Sequence, residues 1–238
     1  RNEFIAGGVC AFFLFLGYAF QSVGLWENIS IFLNFSSSDP NKSAFITGTS
    51  VLMVPIIMLF MGKINKSIHL WISIFIVLLG LVILLNPDVE NFTFGDMLTF
   101  GCSLSFATHI IFQGKYLINK INIYNFFLVQ TGITTLLFCI CALFEFQFIN
   151  IELDWNQTVF QGLLITGVLG TFVAILIMVW AQQIVSPVQT AMIFTLEPVF
   201  AGLYNHFFTT YTLSNWGIVA GFIIVSGILY HEFKLGKA

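Results

Sequence analysis

The sequence predicts an all-α membrane protein, a polytopic bundle of eight transmembrane helices, and three observations carry that expectation. Hydrophobic residues make up 58% of the 238-residue chain and charged ones only 8%, where soluble domains carry about a quarter charged residues. Eight apolar stretches are each long enough to cross a hydrocarbon core. None shows a sustained period-2 alternation, which favours helices over a barrel. The net charge of −3 is small and scattered, and no basic patch with interleaved aromatics is present, which excludes a nucleic-acid partner.

The stretches are about Phe4–Trp26, Ala44–Met61, Ile68–Leu85, Phe94–Phe112, Tyr124–Phe144, Val159–Gln182, Val188–Phe208 and Leu213–Phe233. Charges in the connections orient them. Lys63 and Lys66 follow the second, Lys115 and Lys120 the fourth, Lys234 and Lys237 the last, and Arg1 precedes the first, so all fall on one side. The opposite connections hold Glu27, Asp39, Asp88, Glu90, Asp96, Glu145, Glu152 and Asp154, with Lys42 as their one cation. Lys and Arg stay cytoplasmic, so both ends of the chain are expected inside a cell membrane, inner or plasma. The first outer connection, Glu27–Lys42, is long. Its Phe32, Leu33 and Phe35 are expected in the interface or against the bundle, ahead of a turn-rich Ser36–Pro40. Cys10, Cys102, Cys139 and Cys141 lack zinc or redox spacing and suit packing.

The run Lys42–Pro55 and the span through Gly80 parallel Ser186–Pro198 and the span through Gly227. Pro55 and Pro198 are 143 positions apart, Gly80 and Gly227 147. The second span matches the seventh, an odd number of crossings on, so the two copies run in opposite directions. This divides the chain into 1–90, with three helices, and 91–238, with five. Inverted repeats with Pro-interrupted helices at matching positions are the pattern of secondary transporters, whose substrate lies near the midplane.

Glu197 falls near mid-depth of its span, where a carboxylate costs a few kcal/mol unless it is protonated, paired or wetted. It should therefore face protein. There it binds a cationic group of a substrate or a proton, or else it is a carboxyl hydrogen-bonded to a neighbouring helix beside the backbone that Pro198 breaks. Val54 precedes Pro55, so only one copy has the acid, and Pro55 and Pro198 are assigned to architecture. His109, with Ser105 one turn before and Gln113 one turn after, forms a polar stripe suited to reading a substrate, relaying a proton or bonding an adjacent helix. Gln130 with Thr134 on the fifth span, Thr171, Trp180 and Gln182 on the sixth, and Gln21, Thr47 and Ser50 before them orient a ligand without prohibitive desolvation. Interhelical bonding is their competing role. No His or acid lies three or four residues from His109, so neither a metal nor another cofactor is expected. Gly217 and Gly221 form a GxxxG that suits a homo-oligomer or packing within the chain.

Gly95-Asp96-Met97-Leu98, Phe106–Ile111, Val129-Gln130, Thr166–Thr171, Trp180–Pro187 and Phe194–Phe200, with Phe15–Gln21 and Lys42–Pro55 ahead of them, resemble the EamA type of the drug/metabolite transporter superfamily. The resemblance covers essentially the whole chain. It implies ten transmembrane helices in two inverted five-helix halves, both ends cytoplasmic, exporting or exchanging small organic solutes. The eight spans correspond to helices three to ten of that fold, which places its first two outside this chain. The sequence departs from the family pattern in its long Glu27–Lys42 connection, in Thr210-Tyr211 where Gly-Glu is common, and in Met178 where Gln is frequent.

The expected function is a secondary transporter, an exporter or exchanger, that moves a small organic metabolite by alternating access. Its partners are that solute and the lipid bilayer. The alternative is a non-transporting, truncated membrane protein that acts as a binding or scaffold component. No nucleophile elbow, Walker motif, H-E-x-x-H or pair of intramembrane carboxylates is present, so no enzyme is expected and transport would draw on gradients.

Overall fold

In this computed structural model the apolar runs fold into helices, with no strand among the described residues, which are 2–64, 67–88, 90–118, 121–148, 155–208 and 214–235. Arg1, Lys66, Lys120, Glu152, Asp154, Thr210, Tyr211, Leu213 and Lys237 lie outside them. The order is α1 (Asn2–Leu25), α2 (Glu27–Phe32), α3 (Pro40–Gly48), α4 (Ser50–Phe60), α5 (Ile68–Leu85), α6 (Phe94–Leu117), α7 (Ile123–Phe148), α8 (Gln157–Leu163), a π-helical segment (Leu164–Val173), α9 (Ala174–Ala181), α10 (Pro187–Phe194), α11 (Glu197–Phe208) and α12 (Asn215–Leu235).

Six stretches among the described residues are long and apolar enough to cross a membrane: α1, α3 with α4, α5, Ile123–Leu143, Gln157–Ala181 and Asn215–Lys234. Their outer faces are apolar, as at Phe75 (67% exposed) and Phe222 (72%), a surface that suits lipid and not water. The other two expected spans fall short of this standard for different reasons. α6 has the length, 24 residues, but carries Asp96, Thr99, Ser103, Ser105, His109 and Gln113. α10 and α11 are apolar but are separated by Thr195-Leu196.

The chain forms two compact units, Arg1–Leu16 with Ile111–Ser186, and Gly17–Ile110 with Pro187–Ala238. In the first, α1 and α7 run parallel: Gly7 abuts Val129, the Thr134 hydroxyl donates to the Ala11 carbonyl (3.4 Å), and Phe15 packs edge-on against Phe138 at 4.9 Å. Phe13 stacks on Phe112 of α6 at 5.6 Å.

In the second unit α6 runs antiparallel to α1, with Gly24 against Gly95, Phe20 against Gly101 and Tyr18 against Phe106. It runs parallel to α3, pairing Ser43 with Thr99 (3.4 Å), Thr47 with Cys102 (3.9 Å) and Thr49 with Ser103 (3.2 Å). α5 and α12 pack antiparallel through two glycines. A Cβ on Gly80 would lie 2.6 Å from Ile224 Cγ1 and 3.1 Å from the Ala220 carbonyl; one on Gly227 would lie 2.8 Å from Val77 Cγ2 and 3.1 Å from the Ser73 carbonyl. Ser73 and Ala220, Val77 and Ile224, Gly80 and Gly227 are each 147 positions apart, so the interface is reciprocal in sequence.

The long outer connection is tied down against α6. After α2 its backbone bonds Ser38 N–H to the Gly24 carbonyl (2.8 Å), while Gly95 N–H donates to the Ser36 carbonyl (3.0 Å). Phe35 packs edge-on against Phe94 at 5.3 Å, but Leu33 is exposed, so the expectation of apolar contact holds for one of these two residues. The Phe32 side chain is outside the described set.

Candidate functional site

Two spans are interrupted, and local chemistry accounts for each interruption. α3 begins with Pro40 in its first turn under an Asp39 cap, whose carboxylate accepts from the N–H groups of Asn41 (2.9 Å) and Lys42 (3.0 Å). It ends where Thr49 N–H meets the Phe45 and Ile46 carbonyls (3.1 Å each) and the Thr49 hydroxyl also donates to Ile46. A threonine that bonds the preceding turn in this way offers the backbone an alternative to continuing the helix. The break between α10 and α11 is built alike: Thr195 N–H (3.1 Å) and Thr195 hydroxyl (2.6 Å) both donate to the Met192 carbonyl, and Leu196 N–H donates to Ile193 (3.0 Å).

Glu197 and Pro198 then open α11. Pro198 sits in a first turn, where a missing N–H costs nothing, and it removes the donor that the Phe194 carbonyl would have met. Pro55, by contrast, lies inside α4, six residues past its break. The two threonines are 146 positions apart, close to the 147 of the reciprocal glycines; the two prolines are 143 apart.

Glu197 is exposed, and among the described residues its carboxylate has no hydrogen bond or ion pair. Tyr18 of α1 and Cys102 of α6 lie within its electrostatic reach. Cys102 is fully buried, and Thr47 stands beside its thiol. Tyr18 is held by Phe106, ring edge to ring face at 5.2 Å and 83°. Glu197 stands at the N-terminus of α11, where the backbone partial charge favours an anion.

Of the other candidates, Gln21, Ser50 and His109 belong to the same unit as Glu197. Gln21 is half-buried on α1; Ser50 is buried at the start of α4. On α6 the polar stripe is real and buried: Ser105 donates back to the Gly101 carbonyl (2.7 Å), His109 is 1% exposed, and Gln113 is fully enclosed. Gln130, Thr171, Trp180 and Gln182 belong to the first unit. There Gln113 Nε2 donates to Gln182 Oε1 at 2.8 Å, and Thr134 donates to the Gln130 carbonyl at 2.9 Å. The Thr171 hydroxyl bonds Thr166 across a π turn (2.9 Å), and Trp180 is 63% exposed.

Tyr18 and Cys102 are the functional candidates that sequence reasoning missed. Tyr18 had a signal, since Gln21 three residues on shares its helix face. Cys102, a neutral residue in an apolar run, had none.

A second polar cluster closes the far end of α3. Lys42 Nζ donates to Asp96 Oδ2 (3.1 Å) and to the Asn91 carbonyl (2.6 Å); Ser38 donates to the other Asp96 oxygen. Thr93 and Asp96 form a capping box, with Thr93 N–H on Asp96 Oδ2 (2.8 Å) and Asp96 N–H on the Thr93 hydroxyl (3.2 Å). Lys42 and Asp96 were expected as separate outer charges; they are a buried pair.

Six lipid-suited helical stretches among the described residues define a multi-pass helical membrane protein. The EamA-like transporter family model matches residues 93–231, more than half of the chain, and the chain belongs to that family. It is 29% identical over 191 residues to an uncharacterized transporter of Archaeoglobus fulgidus, a match that covers 80% of this chain and 56% of that protein. The chain therefore spans little more than half the length of that relative. A solved crystal structure of a protein superposes on the whole chain and on 89% of its own with a TM-score of 0.71 at 12% identity, a likeness of fold alone.

Proposed function

We propose that this chain carries the binding site of a secondary transporter that moves a small organic metabolite, as exporter or exchanger, by alternating access between inverted halves, 1–90 and 91–238. The observation that carries the reading is the Glu197 carboxylate at the break between two apolar helices, α10 and α11, with no hydrogen bond or ion pair among the described residues. A carboxylate in an apolar run without an internal partner is expensive in a bilayer, and its retention is explained if a ligand or proton completes it. The reciprocal packing of Gly80 and Gly227 supports two copies in opposite orientation, since a pseudo-two-fold axis pairs residue i with j and j's counterpart with i's. The 146-position offset of Thr49 and Thr195 sets Val51 opposite Glu197, so only one of the two copies carries the acid. Broken helices at the midplane, each with polar groups turned from their own ladder, are where such transporters hold substrate.

The test is flux in proteoliposomes holding the full-length protein, with solutes chosen by metabolite profiling of deletion and overexpression strains. Glu197→Gln should insert and fold as the parent does but change the pH dependence of flux. An unaltered pH profile would remove Glu197 from coupling.

A further inference from the structure

We infer that the end of the α5–α12 seam where α5 begins and α12 finishes is a reversible polar clasp. His69 meets Tyr230 across the seam and Gln189 meets Glu232 beside it, and this end opens while the opposite end stays packed. The inference rests on the transport reading and names a moving part for it.

The reciprocal register makes the two ends comparable residue by residue. Ile68 and Asn215, which open α5 and α12, are themselves 147 positions apart, so the register runs the length of α5. It makes Trp216 the counterpart of His69, Ala220 that of Ser73, Ile83 that of Tyr230 and Leu84 that of His231. Two equivalent helices packed about a pseudo-two-fold axis ask for like chemistry at both ends of their contact. Four polar side chains at one end instead answer to Trp, Ala, Ile and Leu at the other, so the polar set serves something other than the symmetric packing.

The contacts at that end are of a kind that exchanges with water. His69 Nδ1 and the Tyr230 hydroxyl share a hydrogen bond of 2.7 Å, and the fully enclosed Ser73 hydroxyl donates back to the His69 carbonyl (2.9 Å). Gln189 of α10 donates to both Glu232 oxygens, at 3.0 and 3.1 Å. Such bonds are worth little net of the water bonds they replace, so this end parts more readily than an apolar one. His231 is 6% exposed, and its Nδ1 has no hydrogen-bond partner among the described residues. An enclosed polar atom in that condition favours any state in which water reaches it.

α10 joins the clasp to the candidate site. Gln189 lies in its first turn, and Thr195 just past its far end makes the break before Glu197. Parting of Gln189 from Glu232 frees the short helix that leads to that carboxylate.

The experiment uses the full-length protein with its native cysteines replaced, in nanodiscs, where both faces meet the reagent. Ser73→Cys and Ala220→Cys place thiols at counterpart positions, each fully buried, and a water-soluble maleimide reads their exposure. The thiol of Ser73→Cys should react about tenfold faster than that of Ala220→Cys. Tyr230→Phe should speed the first by about threefold to tenfold more and leave the second unchanged. In proteoliposomes, a bifunctional methanethiosulfonate joining His69→Cys to Tyr230→Cys should stop flux until dithiothreitol removes it. The same bridge between Ile83→Cys and Trp216→Cys should leave most of the flux, each unbridged double variant serving as its own reference and each variant being checked for parental thermal unfolding. Equal reaction rates at the two thiols, an unchanged rate in Tyr230→Phe, or flux that survives the bridge at His69 and Tyr230 would each overturn the proposal. If the labelling contrast holds while the parent protein moves no solute, the clasp stands and the transport reading fails. If flux is intact and the contrast is absent, the clasp alone fails.

Discussion

At the scale of single residues, the chain holds two acids in demanding places and treats them oppositely. Asp96 is satisfied on every side, by Ser38, Lys42 and the Thr93 N–H, and it caps its own helix; Glu197 has none of these. A fully bonded buried acid is architecture, because removing its charge strands its partners. Asp96→Asn leaves the Lys42 ammonium enclosed without a counter-charge. The pair is sealed from water at one edge of the bundle, so the loss should be about 3 kcal/mol in unfolding. Lys42→Met combined with Asp96→Asn should cost less than the two singles summed, and denaturant unfolding of the four proteins measures that difference. Of these two acids only Glu197 was legible as unusual, because an acid inside an apolar run is visible without a fold. The Lys42–Asp96 pair joins residues 54 apart across two helices, and nothing local to either position announces the other.

Among elements, six span positions were legible because hydrophobic length is a property of the sequence alone, whereas the breaks were only half legible. Pro198 marked an interruption correctly, yet the helix turns away two to three residues earlier, where Thr195 bonds back to Met192; Pro55 lies inside a continuous α4 and the turn there belongs to Thr49. Threonine back-bonding is common in intact helices, so the sequence does not say which threonine ends one. Glycine is more telling when a partner surface is known. The α5–α12 contact depends on both Gly80 and Gly227, and a methyl on either meets side chain and backbone at once. Gly80→Ala should destabilise the protein by about 1–3 kcal/mol through overpacking. Because the new methyl would meet Ile224 Cγ1 first, Gly80→Ala with Ile224→Ala should cost less than the sum of the single changes, read from thermal unfolding in detergent. Strict additivity would mean that the two helices part instead of repacking.

For the whole molecule, α6 decides parity, the number of times the chain crosses the bilayer. Its composition hides a two-faced helix: Thr99, Ser103, Ser105, His109 and Gln113 are buried, while Met97, Phe100 and Leu104 are exposed. Averaging over such a helix understates how apolar its outer face is, which is why length and mean hydropathy alone pass it over. Its 24 residues rise about 36 Å, enough to cross, and it lies along α1 from the Gly24–Gly95 contact to that of Tyr18 with Phe106. A neighbour packed antiparallel along a spanning helix shares its depth. Eight crossings place Asp88 outside and Ile118 inside, whereas a chain in which α6 stays out of the membrane leaves both on one side. Alkaline phosphatase fused after Asp88 should therefore be active and green fluorescent protein fused after Ile118 should fluoresce, with the reciprocal fusions silent. The same logic puts fusions after Ser186 inside and after Ser214 outside if α10 and α11 together cross. Phosphatase activity after Ile118 would remove α6 from the spans, and with it the inverted relation between the halves, since the second and seventh spans would no longer be separated by an odd number of crossings.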